Sequence, residues 1–201
     1  MPALKQFTKF DSCKPLFCLL IALFFFVTGC AGRLKTISYV HPTYDFSQVK
    51  KVAVLPFSND SKEPAAGENI KRMVIVELLS MGYVDIVEPG QTIRALSELN
   101  LLGSPFYSKE DIRKLGQNLG VPVVLLGALS VYERSIVSNV SIPEINISMW
   151  AVETESGTVI WSVTSLSKGI GVSGQLFGFS SETMSEATMN TVRKAVQTLF
   201  K

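Results

Sequence analysis

An α/β fold on a mixed β-sheet, with elements in the order β-α-β-α-α-β-β-β-α and helices packed on the sheet, is what this sequence predicts. Three observations predict it. Short β-branched runs at "KVAVLPF" and "YVDIVEP" alternate with stretches whose apolar residues recur every three to four positions. Beyond Val121 come three longer strand-like runs, "VPVVLLGALSVYE", "INISMWAVE" and "TVIWSVTSL". The chain then closes on an amphipathic stretch with acids early and bases late. Two-layer and three-layer packings both fit this order.

The elements follow in turn. Val52 to Phe57 is a buried strand closed by Pro56 and the turn cluster Ser58-Asn59-Asp60. The next helix has Pro64 near its first turn, Glu68 and Arg72 spaced i,i+4, and an apolar stripe of Ile70, Met73, Val74, Leu78 and Met81 that ends at Gly82. After the strand "YVDIVEP", Pro89 opens a helix bearing Ile93, Leu96 and Leu99. "SKED" predicts a capping box between Ser108 and Asp111, followed by inward Ile112, Leu115 and Leu119 and by Gly120 as terminator. The last helix spans 181–200, with Met184, Val192, Ala195, Val196 and Leu199 inward, Glu182 and Glu186 early, and Arg193 and Lys194 late.

Between the last two strands lies "TESG". With Glu155 and Ser156 at the tip, Trp150 faces Trp161 and Val152 faces Val159, while Ile147, Met149 and Ile160 take the other side. Both faces of the hairpin are then substantially apolar. One is expected to carry helices, and the other needs a cover.

Ahead of all this stands an unusual amino end. Lys5, Lys9 and Lys14 precede an apolar run from Pro15 to Val27, which counts 13 residues. A spanning helix needs roughly 20, so the layout is that of a secretory signal. Its ending, Val27-Thr28-Gly29-Cys30, resembles the lipobox of bacterial lipoproteins. The resemblance implies cleavage before Cys30, a diacylglycerol on its thiol and a fatty acyl group, such as palmitate, on the new amine. Residues 1–29 are then signal peptide, 30–50 a lipidated tether and 51–201 the folded domain. The tether shows no regular periodicity and, as a coil of ~20 residues, reaches roughly 25 Å. Its Tyr39, Val40, Tyr44 and Phe46 are apolar enough for part of it to pack on the domain. Asp directly after an acylated Cys favours retention at the inner membrane, and Ala31 carries no such signal. The expected location is therefore the periplasmic face of the outer membrane.

Processing also recasts the composition. The chain has 19 Lys+Arg against 17 Asp+Glu; without Lys5, Lys9, Lys14 and Asp11 the balance is 16 against 16. Nothing in that balance argues for nucleic acid. Cys13 and Cys18 leave with the signal, so Cys30 remains alone and no internal disulfide can form.

"VAVLPFSND", "LGQNLGVPVVLLGALS" and "AVETESGTVIWSVT" resemble landmarks of the periplasmic domains grouped around the curli-secretion lipoprotein CsgG, the synthase activator LpoB and the TolB amino-terminal domain. The resemblance covers roughly Val52 to Phe200. It implies a non-enzymatic domain serving secretion or envelope assembly through protein contacts.

The residues themselves point the same way. The sole histidine, His41, lies in the tether, away from the carboxylates and hydroxyls that a triad or zinc site requires. No catalytic residue, metal ligand or cofactor is expected beyond the acyl groups on Cys30. "GIGVSGQLFG" is rich in glycine but lacks the Lys-Ser/Thr of a phosphate loop. Glu153 and Glu155 flank a turn and read as solvated.

The candidate interface is the stretch holding Ile170, Val172, Leu176, Phe177 and Phe179, together with the hairpin tryptophans Trp150 and Trp161. Large apolar side chains among glycines are costly to order without a contact. The expected partners are the membrane, through the anchor, and envelope proteins, a homo-oligomer being one option. Two alternatives stand beside this: a CsgG-like outer-membrane secretion channel, and activation of a cell-wall synthase.

Overall fold

The computed structural model describes residues 33–137, 140–168 and 182–199. In chain order these form β1 (Arg33–Val40), β2 (Lys51–Val54), β3 (Ser58–Asn59), α1 (Ala66–Met81), β4 (Asp85–Ile86), α2 (Pro89–Glu98), α3 (Lys109–Leu119), β5 (Val123–Val137), β6 (Val140–Glu153), β7 (Val159–Lys168) and α4 (Met184–Val196). The strands make one sheet in the order β1-β7-β6-β5-β2-β4, with β3 also pairing β5. β2 runs parallel to β4 and β5, whereas β5, β6, β7 and β1 are antiparallel neighbours, so the sheet is mixed. From β2 onward the order is the one expected, apart from the two-residue β3.

The number of layers is settled by β2. Val52 and Val54 enter one core with α1 and α4, while Ala53 and Leu55 enter a second with α2 and α3. A parallel strand at the centre of a sheet buries both faces, so helices cover both and the packing is three-layered. Local chemistry sets the helix ends. α1 buries Ile70, Val74 and Leu78, and stops at Gly82, whose φ of 70° suits a residue without Cβ. Glu88 caps α2 by accepting from the Gly90 and Gln91 amides, with Pro89 in the first turn. The Ser108–Asp111 capping box of α3 is present, and Thr183–Glu186 forms a second on α4. α4 turns Val192, Ala195 and Val196 inward.

Two expectations are corrected. The coil expected over 30–50 begins as a strand: β1 pairs β7 from Arg33↔Lys168 to Val40↔Trp161. In "RLKTISYV" neither alternate set is clearly apolar, so period-two reasoning finds no buried face. Backbone hydrogen bonding at a sheet edge holds the strand, helped by Thr36 Oγ1 and Ser165 Oγ at 2.9 Å. The chain remains docked beyond β1. The His41 amide donates to Ile160 O at 2.8 Å, and Tyr44 and Phe46 stack edge-on at 5.0 Å against the α1/α4 core.

The second correction concerns the β6–β7 register. Val152 faces Val159 as expected, but Ala151 faces Trp161, leaving Ile160 as an extra residue on β7. This bulge lets the consecutive Ile160 and Trp161 bury in the same core. Trp150 consequently lies opposite Ser162, not Trp161. The β5–β6 hairpin is also longer than its apolar runs suggested, reaching Val137↔Val140.

Candidate functional site

The bulge divides the two tryptophans between opposite faces of the sheet. Trp161 is 1% exposed, and its Nε1 donates to Thr198 Oγ1 at 3.0 Å. Thr198 in turn donates to Ala195 O at 2.7 Å, which ties the end of α4 to β7. Trp161 is therefore core. Trp150 is half-buried at the margin of the α2/α3 core.

In-register neighbours of Trp150 form a surface. Cross-strand partners share a face, so one row runs Tyr39–Ser162–Trp150–Leu126 and the next Ile37–Thr164–Ser148–Ala128. Ser148 and Thr164 hydroxyls meet at 2.9 Å within the second row. Ile37 is 62% exposed and Tyr39 47%, while Leu126, Trp150 and Leu166 are half-buried. Among the described residues α2 and α3 cover the base of this face and leave its β1 side open. Of the hairpin's two faces, the Trp150 side is the one that the described helices cover only in part. β1 widens it with two apolar residues that sequence reasoning missed, because a residue assigned to coil is assigned to no face.

A second apolar surface lies on the other side of the sheet, on the outer flank of α1 and α4. Val76 is 65% exposed and Met189 47%, with Leu79 also open. The two helices are bridged there by Arg193 Nε and Glu77 Oε1 at 3.6 Å. The helical stripe rule had found the inner face of α1 and had nothing to say of its outer one.

Charge concentrates at the end of the sheet where β1 begins. The row Lys168–Glu144–Glu133 crosses three strands there. Lys168 Nζ lies 2.8 Å from Glu144 Oε1, and Ser135 Oγ donates to Glu144 Oε2 at 2.7 Å. These contacts, that of Lys168 foremost, hold the Glu144 carboxyl below the usual range.

Among the described residues no three of His, Cys, Asp and Glu gather to hold a metal ion. His41 is near the surface, its Nδ1 3.4 Å from Thr43 Oγ1 and its ring edge-on to Tyr39 at 6.5 Å. No described helix is long and apolar enough to cross a membrane. The lipobox residues Val27, Thr28, Gly29 and Cys30 lie outside the described residues, as do Ile170, Val172, Leu176, Phe177 and Phe179.

No protein-family model matches the chain, and no characterised protein matches it in sequence. Solved structures do. A point variant of the PelC dodecamer from Paraburkholderia phytofirmans is 17% identical with a TM-score of 0.59, covering 83% of this chain and 98% of that one. Lipoprotein GNA1162 from Neisseria meningitidis is 16% identical at a TM-score of 0.49, over 64% of this chain and 90% of its own. The LpoB C-terminal domain from Escherichia coli is 16% identical at 0.45, over 61% and 98%. At such identities the PelC match establishes a likeness of fold: a mixed α/β sheet with helices on its faces.

Proposed function

We propose that this chain is a lipid-anchored, periplasm-facing envelope protein that works by protein contacts, beginning with copies of itself, in secretion or envelope assembly at the outer membrane. It acts without catalysis and without a cofactor beyond the acyl groups on Cys30. The observation that carries the reading is the pair of exposed apolar surfaces on opposite sides of one sheet: Ile37 and Tyr39 on one, Val76, Leu79 and Met189 on the other. Two different sticky surfaces are what a head-to-tail contact between identical subunits needs, and such a contact repeated around a closed ring leaves neither exposed. The PelC protein of similar fold is a dodecamer, which supports the same reading.

The two alternatives find less support. A transmembrane barrel strand takes about 9–11 residues. The β5–β6 hairpin continues only four residue pairs, Arg134↔Pro143 to Val137↔Val140, past the row where its neighbours end. A synthase activator reaching through the cell wall favours a long linker, whereas Ala31 and Gly32 alone separate Cys30 from β1.

Native mass spectrometry of the protein extracted from membranes in detergent tests both halves of the proposal. We expect a multiple of the subunit mass, each subunit beginning at Cys30 and carrying acyl groups. Ile37→Glu and Met189→Glu should each reduce it to monomers without lowering the melting temperature, since both side chains are exposed. A monomeric unsubstituted protein refutes self-assembly; a subunit mass without acyl groups refutes the anchor.

A further inference from the structure

The two edges of the sheet are unlike. At one end β4 presents only Asp85 and Ile86. At the other, β1 runs eight residues, Arg33–Val40, in unbroken register with β7. The His41 amide donates to Ile160 O at 2.8 Å, which makes His41↔Ile160 a hydrogen-bonded pair of this antiparallel ladder. Bonded and non-bonded pairs alternate, so Lys35, Ile37 and Tyr39 turn their backbone groups toward β7, while Thr36, Ser38 and Val40 turn theirs away from the sheet. Among the described residues nothing bonds to the N–H and C=O groups of that outward row.

Such a row is a template for another strand. Native edges are blunted by brevity, by proline, by a bulge or by several charges; β1 carries neither proline nor bulge, and Lys35 is the one charge among its described side chains. In a ladder added outside β1, Lys35, Ile37 and Tyr39 fall in the non-bonded pairs, where facing side chains approach closest. All three are exposed on the open face. The row of Lys35 continues through Leu166, Asn146 and Val131, so no acid answers its charge within the sheet. On the opposite face Ser38 is exposed and Thr36 half-buried, which leaves room for small side chains only beside the α4 layer. The complementary strand therefore has an acid beside Lys35, apolar residues beside Ile37 and Tyr39, and small or hydroxylated residues between them.

We infer that the outer edge of β1 takes up an extended segment of a different envelope protein, which joins the sheet antiparallel as a further strand along Thr36 to Val40 and places an acidic residue against Lys35. A second copy does not fit there, a step that rests on the head-to-tail ring proposed above. Antiparallel pairing of β1 with another β1 needs a two-fold axis, which a cyclic ring lacks, and the β4 edge of a neighbour is too short to span Thr36 to Val40. The ring thus uses the faces of the domain and leaves its long edge for another partner.

The test uses the full chain extracted in detergent and, as probe, the blocked peptide Thr-Val-Thr-Val-Thr-Glu-Thr, whose Glu meets Lys35 when the peptide lies antiparallel to β1. The readout is amide hydrogen exchange resolved to single residues by mass spectrometry. Without peptide we expect Thr36, Ser38 and Val40 to exchange fast and Ile37 and Tyr39 slowly; saturating peptide should slow the outward three by at least about tenfold. Ser38→Pro removes an outward N–H and no bond to β7, so it should abolish the response and leave the melting temperature unchanged. Lys35→Glu should weaken binding, and a peptide with Lys in place of Glu should restore it. Outward amides that stay fast at millimolar peptide overturn the inference, and a charge exchange without effect overturns the assignment of an acid to Lys35. Outward amides already slow without peptide overturn it as well: if they become fast in Met189→Glu monomers, a second copy holds the edge and self-assembly stands; if they stay slow, the chain covers its own edge. A protein that is monomeric throughout and still responds to the peptide refutes the ring and keeps the strand addition.

Discussion

Truncating the two tryptophans separates the roles that the β6–β7 bulge assigns them. Trp161 is 1% exposed among Val163, Val192 and Val196, so Trp161→Ala opens a cavity between β7 and α4. Removing a buried aromatic costs about 3–5 kcal/mol. The lost indole hydrogen bond is included in that figure, and the Thr198 hydroxyl keeps its own bond to Ala195 O at 2.7 Å. In a domain of this size each kcal/mol moves the melting temperature by roughly 2–4 °C, so the expected fall is about 6–20 °C. Trp150 is half-exposed, and Trp150→Ala should cost about half as much, by loss of the covered part of its ring alone. Trp161→Phe keeps most of the apolar contact and should lose about 0.5–1.5 kcal/mol with the hydrogen bond. Far-UV circular dichroism in urea on the chain from Gly32 measures all three without relying on tryptophan emission. An equal or larger loss for Trp150→Ala would refute the register and the division of faces drawn from it.

Two further outcomes follow from local geometry. Phe57 lies over Gly127, and a Cβ at 127 would fall within its ring, so Gly127→Ala should destabilise by about 1–3 kcal/mol, with partial recovery in the Phe57→Leu background, read from urea midpoints. Glu144, held low by Lys168 and Ser135, contributes stability that is complete above the ordinary glutamate range and is lost as pH falls through its depressed folded value. Glu144→Gln should therefore flatten the acid limb of a stability-against-pH curve and leave its neutral slope alone; an unchanged acid limb would show that the contact with Lys168 has no thermodynamic weight.

What the sequence disclosed was whatever is written in local chemistry. The Ser108–Asp111 box, Gly82 and Gly120 as terminators, and Pro89 as a helix opener are each decided by a few adjacent residues, and each stands where expected. The failures share a different cause. β1 owes its existence to a partner strand more than a hundred residues away, and its own residues show no buried face. The Ile160 bulge leaves no mark on composition, since an isoleucine before a tryptophan reads equally well as two faces or as one. Of the candidate interface, Trp150 lies on the open face, Trp161 lies in the core, and Ile37 and Tyr39 were hidden by the assignment of their segment to coil.

The edge position of β1 also fixes the order in which the fold can close. Every pair it makes is with β7, from Val40↔Trp161 to Arg33↔Lys168, so the first strand of the domain waits for nearly the last. Such closures come late, because the entropy of a long loop must be overcome before any contact compensates for it. If the chain is exported and processed before Cys30 as proposed, the segment that becomes β1 is still unpaired while the rest of the chain emerges, which leaves the residues ahead of it accessible to processing enzymes. Once β7 arrives, the same segment is zipped into the sheet. On that proposal only Ala31 and Gly32 are then left between Cys30 and the sheet, so a leash of some twenty residues becomes a short stalk once acylation is done.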